Sequence, residues 1–424
     1  MKKLLLFIVF IISITANAQQ VTNVYKNKTI KLVAKNDFAQ GNDWAKIFRS
    51  YYDTTFYGKQ IGKNKSLIVL DNGRIVVNNI YRNYYTVFNV DGVFNKEMHI
   101  KNTDGKIIKK TRSIYGTINN TFYTNADNMG NVLCFDFNGK LVKKLKLNYS
   151  VRQIITLSNT KLAVVGWSIW KDKFRDFVAI VDYNTNKQKI VWTHFTSRAP
   201  KEKRRFNYSY TFSNGYMVSL NTMPFTKVTG LSIPPIIQSI DNELIVAVPS
   251  SGEIFTYNIK GEQVNSSKIQ WAKNYMSVEE QKIIQRKAIE KYKKLLGHKI
   301  VGSISLEENN QAINSIIEKM KTDLNNINDK LQIPVFSTVI KDSENNLLFF
   351  EIAEKTNQNK FNVWTMDNKG EFIAKSSFIC DDYNLEITPD KMVFHNGYIY
   401  SLQTKKNVKG NPLRLVKFKL ITTP

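Results

Sequence analysis

Short apolar runs alternate with turn residues along most of this chain. Residues 236–269 show the pattern most clearly. Four runs (236–240, 244–248, 254–259 and 264–269) are broken by Asp241-Asn242, by Ser250-Ser251-Gly252 and by Lys260-Gly261. Asn and Gly tolerate positive φ, and Asp, Asn and Ser close local turns through their side chains. The stretch therefore predicts a four-stranded antiparallel meander.

The meander recurs. A first copy uses residues 66–70, 74–80, 84–89 and 93–100, and a second spans 112–147. A third spans 151–195, the stretch above is the fourth, and a fifth spans 335–378. A last copy has three strands only, 392–395, 398–403 and 413–420. The outer-hairpin turns fall at Gly92, Gly139, Asn186, Gly261 and Gly370. The first two intervals are equal, and they match the length of a four-stranded propeller blade. The expectation is an all-β, six-bladed β-propeller over residues 19–424. The unpaired strand Thr29–Ala34 would complete the last blade and close the ring from both chain ends.

Two longer intervals carry insertions. The first, 207–235, holds an extra hairpin around Ser213-Asn214-Gly215 and reads as either a decoration or a degenerate seventh blade. The second, 274–332, is helical. Ser277-Val278-Glu279-Glu280 and Ser305-Leu306-Glu307-Glu308 both have the form of a capping box. Ile313, Ile316, Ile317, Met320, Leu324, Ile327 and Leu331 trace one apolar stripe. The pair is expected as a helical hairpin whose stripes meet each other or the propeller.

Composition then adds a compartment and a charge. Lys2 and Lys3 precede an apolar run, 4–14, and Ala16-Asn17-Ala18 offers a small-x-small cleavage site. Residues 1–18 thus read as a signal peptide, which places the mature chain in the periplasm or outside the cell. No later run is long enough to span a bilayer. The net charge is +26, which favours an anionic partner or reflects no more than a Lys-rich composition. Cys134 and Cys380 allow two buried thiols or one bridge.

Topology assigns these charges a side. In each meander the link from strand two to three, and the link to the next blade, share one end. Both insertions lie there, as do Arg82, Trp170, Lys171, Arg175, Lys355, Lys405 and Lys406. These seven are the candidate binding residues, for a protein or an anionic polysaccharide. Lys runs such as Lys143-Lys144 lie within strands and alternate faces, so no nucleic-acid track is expected. His99, His194, His298 and His395 are scattered without ligand spacing. Asn125–Gly130 resembles a calcium loop only faintly, because Met129 stands where an oxygen ligand is wanted. No cofactor is implied, and no nucleophile-elbow, Walker or dinucleotide motif is present.

Residues 127–142, from Asp127-Asn128-Met129-Gly130 to Asn138-Gly139-Lys140-Leu141-Val142, resemble the repeat of NHL and TolB-like six-bladed propellers. Residues 242–247, with Asn258-Ile259-Lys260-Gly261-Glu262 downstream, resemble it too. The likeness spans roughly 66–420, apart from the insertions. It implies the fold but no single activity, since such families include scaffolds, carbohydrate or peptide binders and metal-dependent lactonases. The leading expectation is a binding or scaffold protein that is not an enzyme. The rival is a metal-dependent hydrolase or lyase with carboxylates and His at the ring axis.

Overall fold

In a computed structural model of the chain, the described residues are 24–48, 53–55, 58–60, 66–70, 72–79, 84–108, 114–119, 121–125, 130–170, 173–197, 206–222, 233–269, 275–298, 304–352, 360–368, 370–385, 391–409 and 411–422. The expected signal peptide lies outside them, as does most of the Asn125–Gly130 turn.

Strands dominate, in many small sheets, and most of these sheets are meanders of neighbouring strands. Sheet I holds Leu67–Val69, Ile75–Asn79, Tyr84–Phe88 and Phe94–His99. Sheet II holds Ile114–Ile118, Thr121–Asn125, Asn131–Phe135 and Leu141–Lys146. Sheet III holds Ser150–Ser158, Lys161–Trp170, Lys173–Asp182 and Gln188–Ser197. Sheet IV holds Ile236–Ile240, Glu243–Val248, Glu253–Tyr257 and Gln263–Lys268. Sheet V holds Thr338–Lys341, Leu347–Phe350, Lys360–Met366 and Phe372–Ile379. Sheet VI has Met392–His395, Tyr398–Lys405 and Leu413–Thr422.

One turn design explains why these segments form hairpins. Phe88-Asn89, Phe135-Asp136, Tyr257-Asn258 and Met366-Asp367 each lead, three residues on, to a glycine at positive φ: Gly92, Gly139, Gly261 and Gly370. Each glycine N–H donates to the Asn or Asp carbonyl at 2.8–3.1 Å. Asp136 and Asn258 also collect two downstream N–H groups on Oδ1. The third and fourth strands shift register by one residue beside each of these turns, a β-bulge that increases the local twist.

The first strands of the six sheets touch in sequence, I to II through to VI, and the first strand of VI touches that of I. Six apolar seams lie between consecutive sheets. Each first strand leaves one edge without a ladder partner, and buried backbone groups there need hydrogen bonds. Side chains supply them. Ser66 Oγ accepts from Ile114 N (2.9 Å), and Thr156 Oγ1 donates to Thr117 O (2.5 Å). The Gln153 amide both donates to Ile237 O and accepts from its N–H, at 2.9 and 3.0 Å. Gln238 donates to Val339 O, and Lys341 Nζ to Ser239 O.

The strand Thr29–Ala34 pairs antiparallel with Leu413–Thr422, from Ile30↔Thr422 to Ala34↔Phe418. It also pairs in parallel with Phe372–Ile379, which the sequence did not suggest. Sheets V and VI are thereby continuous. Tyr25, just upstream, donates its buried hydroxyl to Asp342 Oδ2 at 2.9 Å.

The two insertions fold on each other. Helix α1 (Val278–Lys293) packs against helix α2 (Leu306–Asn325). The hairpin of Asn207–Thr211 and Met217–Asn221 packs on α2. Tyr208, Phe212, Val218 and Leu220 share one core with Ile289, Tyr292, Ile313, Ile316 and Met320. The hairpin therefore lies against a helix, while the first strands of sheets III and IV touch directly. Ser277 forms a complete capping box with Glu280. The second box is half made: Ser305 accepts from Glu308 N, but the Glu308 carboxylate accepts from Ser213 N at 2.7 Å instead of turning back. The competing donor belongs to the hairpin, which local sequence does not reveal.

Candidate functional site

Sheet III stands out from its neighbours. Its strands reach nine or ten residues, whereas sheets I, II and IV use three to six. Gln153 lies level with Ile237 through their paired hydrogen bonds. Beyond its partner Val165 the second strand continues to Trp170; beyond Val246, the partner of Ile237, it stops at Val248. Three extra residues at 3.4 Å each raise a crest about 10 Å above sheet IV.

Alternation gives the crest two faces. On one, Arg175 sits over the rings of Phe177 and Phe195, at 5.3 and 5.6 Å. Its Nε donates to Thr193 Oγ1 at 3.0 Å, which fixes the guanidinium plane. Tyr149 packs edge-on against Phe177 below, at 4.7 Å. That packing needs Gly166, because a Cβ there would come within 2.7 Å of both rings.

On the other face Trp167, Asp176 and His194 are direct cross-strand partners. Arg152 reaches across, with Nη2 3.5 Å from Asp176 Oδ1 and its guanidinium over the Trp167 ring. Trp192 stacks on His194 at 6.1 Å. Asp176 is only 8% exposed. The ion pair with Arg152 lacks hydrogen-bond geometry, so Oδ1 has no hydrogen-bond donor. Burial pushes the Asp176 carboxyl upward, and the charges of Arg152 and His194 pull it back. Oδ1 is closed to solvent, so its missing donor is a desolvation cost held inside the crest.

Of the seven residues expected from sequence, Arg175 lies on this crest. Trp170 ends the strand Lys161–Trp170 beside it. The Trp170 side chain, Lys171, Arg82 and Lys355 fall outside what is described. Lys405 and Lys406 belong to sheet VI, three sheets away from III in either direction. Lys406 Nζ donates to the carbonyls of Cys380 (3.1 Å) and Asp381 (2.7 Å), so its charge is engaged in holding the chain after sheet V. Residues that share one end of the ring still lie apart when their sheets are not neighbours. Arg152, Trp167, Asp176 and His194 were missed. The signal for them was strand length: ten-residue strands pairing Trp167 and Asp176 beyond the neighbouring sheets.

Around the axis, Ser66, Gln153, Thr156, Gln238 and Lys341 are committed to neighbouring backbone, as described above. Among the described residues, no three His, Cys, Asp or Glu side chains come together where a metal ion could be held. Cys134 and Cys380 are both buried and unbridged. Burial pushes the Cys134 thiol up to about 11, which suppresses the nucleophilic thiolate. Among the described residues, no helix is long and apolar enough to cross a membrane.

No protein-family model and no curated protein matches this sequence. Solved structures with a similar arrangement include a member of the DUF4221 family from Bacteroides vulgatus. It has 12% identity and a TM-score of 0.46, over 94% of this chain and 100% of that one. A putative exported protein from Bacteroides fragilis has 10% identity and a TM-score of 0.47, over 94% and 99%. Virginiamycin B lyase from Staphylococcus aureus has 11% identity and a TM-score of 0.36, over 84% and 95%. Likeness at this level does not extend to a shared activity.

Proposed function

We propose that this chain is a secreted six-bladed β-propeller of the NHL/TolB-like kind that serves as a binding or scaffold protein. The crest of sheet III is its docking edge for a partner protein. The ring of six touching first strands and the six seams between sheets support the architecture. The apolar start of the sequence supports export.

The observation that carries the docking reading is the composition of the crest. Trp167, Arg152, Arg175 and Phe195 crowd a raised edge, with Ile169 more than half exposed. Trp and Arg dominate the energetics of protein interfaces because a flat apolar body comes with a fixed polar group. This narrows the broader expectation of a basic, loop-rich face to one sheet.

The test is affinity capture from periplasmic and culture-fluid fractions with the wild-type chain, with Trp167→Ala and with Arg175→Glu. A defined protein should co-purify with the wild type and be lost with both variants. Identical capture by all three chains sinks the reading. Loss of an acidic-glycan-array signal, with no protein captured, transfers the crest to a polysaccharide.

A further inference from the structure

A second site lies at the other end of the ring. Between sheets I and II, where the tight turns gather, is a crevice of about 270 Å³. Its floor is the end of the apolar seam between these sheets, formed by Val76, Val87 and Met98. Its rim is polar and cationic. Arg74 and Lys96 stand on sheet I, with the carboxamides of Asn72 and Asn95; Phe137 and Asn138 lean in from the outer turn of sheet II.

That turn is fixed in place. Lys101 N–H donates to Gly139 O at 2.8 Å, and Leu141 N–H donates to Lys101 O at 3.1 Å. Gly139 has φ +82°, and a Cβ on it would meet His99 O at 2.5 Å. The approach of the turn to sheet I therefore depends on glycine. Phe137 and Asn138 form a wall set before any ligand arrives. Neither Arg74 nor Lys96 has an ion-pair partner among the described residues.

We propose that this crevice binds one carboxylate-bearing sugar, a uronate. The two cations match a single carboxylate. Asn72 Oδ1 is held by Arg74 N–H and Asn95 Nδ2 donates to Asn89 Oδ1, which leaves Asn72 Nδ2 as a donor and Asn95 Oδ1 as an acceptor for sugar hydroxyls. The apolar floor and the Phe137 ring match the C–H face of a pyranose.

A phosphate fits less well, because phosphate sites characteristically use free backbone N–H groups. Here the turn N–H groups are engaged. Arg74 N–H donates to Asn72 Oδ1, and Asn138 N–H donates to Asp136 Oδ1. The site shares no residue with the crest of sheet III and stands whether or not the crest docks a partner.

The experiment is calorimetric titration of the full chain with sodium glucuronate, glucose and glucose 6-phosphate, on the wild type and on Arg74→Gln, Lys96→Gln and Arg175→Gln. Both crevice positions are exposed, so the variants should fold, and unchanged melting curves check this. Glucuronate should bind at least tenfold more tightly than glucose. Arg74→Gln and Lys96→Gln should each weaken it about tenfold, the loss expected for a hydrogen bond to a charged group. Arg175→Gln should leave it unchanged. Equal binding of glucose, tighter binding of glucose 6-phosphate, or sensitivity to Arg175 instead of Arg74 overturns the proposal.

Discussion

The ring and the unit built from its two insertions solve the same problem differently. Each must bury apolar faces and satisfy the polar edges around them. In the ring every seam joins sheets adjacent in sequence, apart from the one between sheets VI and I. Side-chain groups such as Gln153 and Ser66 serve the inner edges. In the insertion unit the partners are far apart in the chain. Tyr208 on the hairpin donates to Asp323 on α2 at 2.7 Å, and Gln285 on α1 donates to the Tyr208 hydroxyl. The ring is thus closed by one long-range strand, whereas the insertion unit joins two local hairpins through long-range contacts. The comparison predicts two degrees of cooperativity in one molecule.

The largest effect should come from the closing strand. Removing residues 24–35 deletes the partner of both Leu413–Thr422 and Phe372–Ile379, along with the Tyr25–Asp342 bond. Two edges would open together, and open edges invite aggregation. The truncated chain should lose cooperative thermal unfolding. Leu32→Ala, at a position 2% exposed, should cost about 2–5 kcal/mol and lower the whole transition. A truncated chain that melts like the wild type would show that sheet VI holds without its fourth strand.

The next effect should be equally deep but local. Met320 is fully buried between the helices and the hairpin. Met320→Ala should again cost about 2–5 kcal/mol. Hydrogen exchange should accelerate in α1, α2 and the hairpin, while Glu243–Val248 stays protected. Equal acceleration in that strand would mean that ring and insertion unit unfold as one.

Much of the ring was legible in the sequence, because its determinants are local. Alternating apolar positions and Asn/Asp-x-x-Gly turns mark strands and hairpins, and both act within a few residues of themselves. The parallel pairing of Thr29–Ala34 with Phe372–Ile379 was not legible, since nothing near either strand announces the other. The same holds for Glu308: a Ser-x-x-Glu pattern predicts the helix start, and a hairpin almost a hundred residues upstream takes the carboxylate. The crest was not legible as one group, because the sequence gathered residues by their end of the ring and these belong to sheets that are not neighbours. Arg175, expected in a link between strands, lies instead within the strand Lys173–Asp182. Asp176 and His194 were hidden, because their closeness depends on the cross-strand register of long strands.

A smaller, pH-dependent effect should appear in the ring. Glu351 accepts from Trp364 Nε1, Asn362 Nδ2 and Lys375 Nζ at 2.5–2.9 Å. Burial pushes its carboxyl up, but these three donors outweigh burial and hold it below the usual glutamate range. A lowered pKa in the folded chain means the unfolded chain binds the proton first. The stabilisation is therefore complete above about pH 4.3 and fades as pH falls through the lower folded value. Glu351→Gln should cost about 1–3 kcal/mol at pH 7. The gap between its melting temperature and that of the wild type should narrow from pH 5 to pH 3. A gap independent of pH would assign the loss to packing instead of charge.

The smallest effect sharpens the comparison most, because it sets two similar helix starts side by side. Ser277 caps α1 and receives the return bond, with Ser277 N donating to Glu280 Oε2 at 2.8 Å. Ser305 caps α2 alone, since Glu308 is turned to Ser213 on the hairpin. The backbone N–H of Ser213 lowers the pKa of the Glu308 carboxyl, so the contact favours the ionised form. Ser277→Ala should cost about 1 kcal/mol, felt in the first turn of α1. Glu280→Gln should act only there. Glu308→Gln should leave the start of α2 protected but speed exchange at Ser213 and its neighbours in the hairpin turn. The two glutamates occupy the same position in the same four-residue pattern. If both variants loosen only their own helix, Glu308 is an ordinary cap and the tie between the insertions rests on the apolar core alone.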